Sequence, residues 1–300
     1  MPIERKISAA EYYETLPSAG FRAGDIWQDL PTFGHLRRER SRGIVITPAC
    51  DLANRKAETV SYLPIVSIKD YITGPGLAPV IVRTMRGQAQ AAGIDADDLG
   101  EIRGFNLPTS DRILDIKHRA NEIVSMRGMS SIRKLAAERT SVGATLLYYI
   151  RNGGESPRMG EVRKLFGDSL FKKSIEEIIK NSYSTDVHFL PCDGKTGLLS
   201  SMESHSVVLF RYPLSLPFEV LDVADDISQK DWRSAVVSLE ITYPIARHIG
   251  EHRPLRVTSL KARFFSDLLA RFSALHIRMG SPDFTTETVS IYYNEIGMNV

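Results

Sequence analysis

The feature that most constrains the fold is a change of hydrophobic period that happens twice. Up to about Gln88 the apolar residues come in short β-branched runs closed by turn formers, which read as strands. Beyond Gln88 they recur at helical spacing: Ile113, Ile116, Ala120 and Ile123, then Ile132 and Leu135, then Val162, Leu165 and Phe166, then Phe171, Ile175, Ile178 and Ile179. Gly128, Gly143 and the run Asn152-Gly-Gly-Glu-Ser-Pro157 divide this stretch into several helices. At Asp186 the strand character returns. Strands, then helices, then strands predict a β domain that carries a helical insertion.

Within this frame, residues 8–16 read as a short helix capped by Ser8. Gly24-Asp-Ile-Trp27 is a turn entering a strand, and a loop holding Arg37, Arg38, Arg40 and Arg42 follows. Ile44, Val45 and Ile46, closed by Thr47 and Pro48, form a short buried strand. Residues 59–67 form the next, and Pro64 points to an edge or a bulge there. After Asp186, strands are expected at 187–191, 206–212, 218–222, 235–242 and 289–293. Between the last two, Leu260, Phe264, Leu268, Phe272 and Leu275 make one stripe, widened by Phe265 and Leu269. That is an amphipathic helix whose broad apolar face packs on its own domain.

The chain has 300 residues, 43% of them hydrophobic, which suffices for one large core or two smaller ones. No apolar run approaches the ~18 residues of a membrane span, so no membrane contact is expected. The N-terminus lacks the apolar core of a signal peptide. Cys50 and Cys192 are the only cysteines, too few for a disulfide framework or a common zinc site. They predict a reducing cytoplasm. Between Arg103 and Thr185 there are 15 Lys and Arg against 9 Asp and Glu, and the rest of the chain is slightly acidic. This basic block reads either as a surface for an anionic partner or as solvated helix faces.

The best anion-binding candidates are Arg37, Arg38 and Arg40, because guanidiniums grip phosphates bidentately. Phe33 and His35 could stack on bases beside them. The plainer reading is a solvated loop paired through Glu39. Cys50 reads as a small buried residue rather than a nucleophile, which would need a base and an electropositive setting. Asp51 reads as a turn former or as a metal candidate. His248 and His252 are four apart, but Gly250 and Pro254 argue against a helix and no third ligand is evident. The 157–181 stretch, broken at Gly167-Asp168, has the layout of a helix-turn-helix, with nothing marking a recognition helix.

Read together, residues 24–71 resemble the start of the PemK/MazF-like toxins. The matching pieces are Gly24-Asp-Ile-Trp27, Arg42-Gly-Ile-Val-Ile-Thr47, Asn54-Arg-Lys56 and Pro64-Ile-Val-Ser67. The resemblance implies a small SH3-like β-barrel, often dimeric, that cleaves single-stranded RNA without a cofactor. It implies that Arg42 stabilises charge on the phosphate. The family threonine falls on Val66, which can neither donate nor accept a hydrogen bond, and Ser67 beside it is the substitute. On a regular strand Ser67 faces the other way from Val66, so this substitution requires a bulge. The family proline after the arginine is Gly43 here. These departures argue against cleavage.

The expected architecture is therefore α+β: a discontinuous SH3-like barrel from 19–85 and 186–245, a helical insertion at 86–185, and a C-terminal amphipathic helix and strand at 246–300 packed on the barrel. The expected function is that of a toxin-like or defence-related protein contacting RNA or another polyanion through its basic loop. The alternative is a non-catalytic module whose barrel binds a partner protein.

Overall fold

The computed structural model describes residues 11–15, 19–36, 38–95, 107–153, 158–193, 202–277 and 285–297. Among them the fold is α+β, with one antiparallel sheet of seven strands and eleven α-helices. β1 (Asp25–Pro31), β2 (Arg40–Val45) and β3 (Thr59–Ser67) form a consecutive meander. β4 (Val187–Leu190) and β5 (Ser206–Leu209) extend it beyond β3, and β7 (Leu255–Ser259) extends it beyond β1. β6 (Leu214–Pro217) also pairs with β3.

The sheet is open. Its order is β4-β5-β3-β2-β1-β7, and the two end strands do not pair. The closed cylinder expected from the sequence is not what these strands form, because two segments expected to complete it are helices. Residues 218–222 lie in α8 (Phe218–Asp226), where Phe218, Leu221 and Ala224 are buried at helical spacing. Residues 235–242 lie in α9 (Gln229–Thr242). There the buried stripe is Trp232, Val236 and Leu239, whereas Val237 and Ile241 are 62% and 84% exposed. Ser228 caps this helix, its hydroxyl accepting from the Asp231 N–H at 3.3 Å. Residues 289–293 likewise fall in a helix, α11 (Thr286–Gly297). In α8 and α9 the short apolar run is part of a wider helical pattern, whereas the apolar residues Val289, Ile291, Tyr292 and Tyr293 of α11 are exposed.

Pro64 lies in an interior strand, not at an edge. β3 pairs with β6 through residues 59–62 and with β5 through residues 65–67. The proline sits in the gap where that edge changes partner and has no ladder bond to lose. Across from it, Gly43 is enforced by packing. A β-carbon there would lie 2.7 Å from the Tyr62 ring and 2.8 Å from Leu30.

The helical block between β3 and β4 begins at Ile68, directly after β3 and well before the period change. α1 (Ala49–Ala53) joins β2 to β3. α2 (Ile68–Thr73), α3 (Ala78–Ala92), α4 (Ser110–Ser125), α5 (Ser131–Asn152), α6 (Met159–Phe166) and α7 (Asp168–Ile179) separate β3 from β4. Their core is continuous with the Val66, Val187, Phe189, Val207 and Leu209 face of the sheet. A second core lies between Trp27, Val45, Val60 and Tyr62 and helices α8 and α9. A third lies between Ile26, Ile44, Leu63, Ile65 and Val208 and the predicted stripe of α10 (Ala262–Ile277). Of the helix expected at 8–16, residues 8–10 and 16 lie outside the described residues, and Tyr13 instead makes an antiparallel bridge to Leu260. No helix among the described residues is long and apolar enough to cross a membrane.

Asp25 of the Gly-Asp-Ile motif is fully buried and serves the fold. It accepts from the Arg22 N–H at 2.8 Å and from the Ser259 hydroxyl, tying β1 to β7. Arg256 lies 3.5 Å from it and 2.6 Å from Asp225 of α8. Burial pushes its carboxyl above the usual range, and these hydrogen bonds oppose the rise.

Candidate nucleic-acid interface

The loop between β1 and β2 is closed on itself. The Thr32 N–H donates to the Glu39 carbonyl at 2.8 Å, and the His35 N–H donates to the Thr32 carbonyl at 3.0 Å. The Thr32 hydroxyl donates to the Arg38 carbonyl. Phe33, at φ 52°, and Gly34, at φ 80°, make the reversal. For phenylalanine that is a sparsely populated conformation, of the kind that persists where the surroundings enforce it.

A 3-10 turn at Pro244–His248, just after α9, packs against this loop. The His248 ring meets Phe33 edge-on, with centroids 5.4 Å apart at 81°. Phe33, Arg38, Glu39, Arg40, Arg247 and His248 thereby line one cleft of about 360 Å³. Arg38 is held by Asp70 of α2 at 3.1 Å. The Arg40 guanidinium packs on Gly250, where an added β-carbon would lie 3.1 Å from its Nη2. Its Nε is buried and has no hydrogen-bond partner. Three arginines and one histidine thus line a small volume beside a single acidic lining residue, a setting that attracts phosphate.

The sequence candidates divide into three groups. Phe33, Arg38 and Arg40 come together in the cleft. His35 is exposed and is not among the cleft residues, and Arg37 lies outside the described residues. Arg42 and Ser67 form a second location. Arg42 stands directly opposite Ile65 on β3, and Ser67, two residues on, shares that face. Ser67 therefore reaches the Arg42 face without a bulge, contrary to the sequence expectation. Its hydroxyl is engaged, accepting from the Asp70 N–H at 3.0 Å to cap α2.

Arg42 is partly buried, and its Nη1 approaches the Met202 sulfur at 3.7 Å, a weak acceptor. Nearby Tyr13 donates to the Pro191 carbonyl at 2.7 Å. Burial, with Asp193 adding to it, pushes the Tyr13 phenol strongly up against the opposing pull of Arg42. Tyr13 therefore keeps its proton and is no base. In the same loop His205 accepts at Nδ1 from the Cys192 N–H at 2.9 Å. A neutral imidazole bonded in this way carries its proton on Nε2 and has no free lone pair.

Asp51 and Cys50 start α1. The Asp51 carbonyl accepts from the Lys56 N–H at 2.8 Å, and Asn54 caps the Cys50 carbonyl at 2.7 Å. Cys50 is exposed rather than buried, because Leu52 takes the inward position of this short helix. Among the described residues no group of three His, Cys, Asp or Glu could hold a metal ion.

Sequence reasoning missed Arg247 and His248. The signal in the sequence is two adjacent basic residues between Pro244 and Gly250, about two hundred residues from the β1–β2 loop. No known protein family, curated protein or solved structure matches this chain.

Proposed function

We propose that this protein is a toxin-like or defence-related protein that binds RNA or another polyanion in the cleft between the β1–β2 loop and the Pro244–His248 turn. The observation that carries the reading is the convergence of Arg38, Arg40, Arg247 and His248 beside Phe33. Cations grip the backbone and the aromatic ring offers a base-stacking surface. The likeness to PemK/MazF-like toxins is supported by the β1–β2–β3 meander and by Arg42 and Ser67 sharing a face. The SH3-like character of the sheet belongs to this proposal.

Binding rather than cleavage is the role favoured by the chemistry. Arg42 can stabilise phosphate charge, but Ser67 is spent on a cap, and neither Tyr13 nor His205 is set up to take a proton from a 2′-OH.

The test is incubation of the purified protein with mixed-sequence single-stranded RNA, with and without EDTA, beside an Arg42→Ala variant. Salt-sensitive retention without cleavage is expected for both proteins. Cleavage by the wild type alone would make it an endoribonuclease. An absence of retention at every salt concentration would leave the partner-protein reading, for which exposed Val237 and Ile241 on α9 offer a surface.

A further inference from the structure

The cleft differs from a strip that tracks a nucleic-acid backbone. Its cations do not follow one another along an edge. Basic residues from two segments line one small cavity, Arg38 and Arg40 from the β1–β2 loop and the start of β2, and Arg247 and His248 from the Pro244–His248 turn. About 360 Å³ falls within the range of small-ligand sites.

We propose that the cleft takes a phosphomonoester: the phosphate of a nucleotide, either free or at the end of an oligonucleotide. The inference rests on the polyanion-binding reading and narrows it. A monoester carries close to two negative charges near neutral pH, whereas a backbone diester carries one. Three guanidiniums against a single lining carboxylate suit the more highly charged group. Each remaining part of a nucleotide has a counterpart. Glu39 is an acceptor for a sugar hydroxyl, and the Phe33 ring is a surface for the base. Asp70 lies outside the lining and holds Arg38 in place.

The experiment is fluorescence anisotropy with one short single-stranded RNA carrying a 5′-phosphate, a 3′-phosphate or neither. Wild type and Arg247→Gln are compared, and a nucleoside monophosphate and inorganic phosphate serve as competitors. Arg247 is exposed on its turn, so the variant folds, and a thermal melt checks this. The expected result is at least about tenfold tighter binding of one end-phosphorylated RNA. The nucleoside monophosphate competes and inorganic phosphate does so far less. In Arg247→Gln all three RNAs bind more weakly, but the end-phosphorylated one loses most, so that its advantage over the unphosphorylated RNA falls to within about twofold.

Equal affinity for all three RNAs, weakened alike by Arg247→Gln, would overturn the monoester inference and leave polyanion binding standing. Inorganic phosphate competing as well as the nucleotide would overturn the nucleotide class. Failure to retain any RNA would remove both readings.

Discussion

At the scale of single residues, two positions carry more than their size suggests. Gly43 stands where the toxin resemblance has a proline, and here the reason is space. Tyr62 and Leu30 close over it, and the Tyr62 hydroxyl is fixed to the Pro31 carbonyl at 2.6 Å, so the ring cannot swing away without losing that bond. Gly43→Ala is expected to destabilise the fold by about 1–3 kcal/mol, read by urea unfolding. His188 is the second. It is 2% exposed on β4, its Nδ1 has no partner, and it stacks on Phe210. Burial lowers its pKa from 6.5 to about 4; Asp267 on α10 opposes the fall and Arg271 adds to it.

The folded state therefore resists protonating His188 while the unfolded chain accepts the proton. Stability present above pH 6.5 is lost as pH falls towards about 4. The loss attributable to this group is on the order of 3 kcal/mol. Unfolding curves at neutral pH and near pH 4 should show a smaller acid loss in His188→Asn than in the wild type. Equal losses would mean that His188 is protonated within the fold.

At the scale of elements, the clearest test concerns α9. If it is a helix, Trp232, Val236 and Leu239 carry its packing, and Val237 and Ile241 carry none. Trp232→Ala should cost about 3–5 kcal/mol, whereas Ile241→Lys should stay within about 0.5 kcal/mol. Chemical denaturation of the two variants separates the helix from a strand, in which Ile241 would be an inward residue.

The same element shows why part of the fold could not be read in advance. Val237, Leu239 and Ile241 do alternate, and over five residues a strand and one edge of a helix look alike. The deciding residue, Trp232, lies outside that window. α10 was legible because its stripe from Leu260 to Leu275 repeats over several turns and packs into the core it shares with the sheet. α3 was hidden because its buried face is partly alanine, which contributes little to a hydrophobic pattern. β6 and β7 are short, and what makes them strands is a neighbour distant in sequence: β3 for one, β1 for the other.

At the scale of the whole molecule, the order of strands, helices and strands was legible and the openness of the sheet was not. The period change places a helical block between two sets of strands, and that is how the chain is ordered. Whether the sheet closes depends on which segments become strands, and 218–222 and 235–242, expected to complete it, are helices. The candidate cleft was half legible for a related reason. Phe33, Arg38 and Arg40 are neighbours in sequence, but Arg247 and His248 reach them only because α9 folds back and ends beside the β1–β2 loop. A site built from two distant segments shows only one of them in a linear reading.

The central claim, that this cleft is where an anionic chain is held, is tested most directly by the salt dependence of single-stranded RNA binding in the wild type, Arg38→Ala and Arg247→Ala. A phosphate contact contributes about 0.7 to the slope of log affinity against log salt. Each substitution should weaken binding and make that slope shallower by roughly this amount. Slopes and affinities unchanged from the wild type in both variants would contradict the account, because RNA would then be held elsewhere on the molecule.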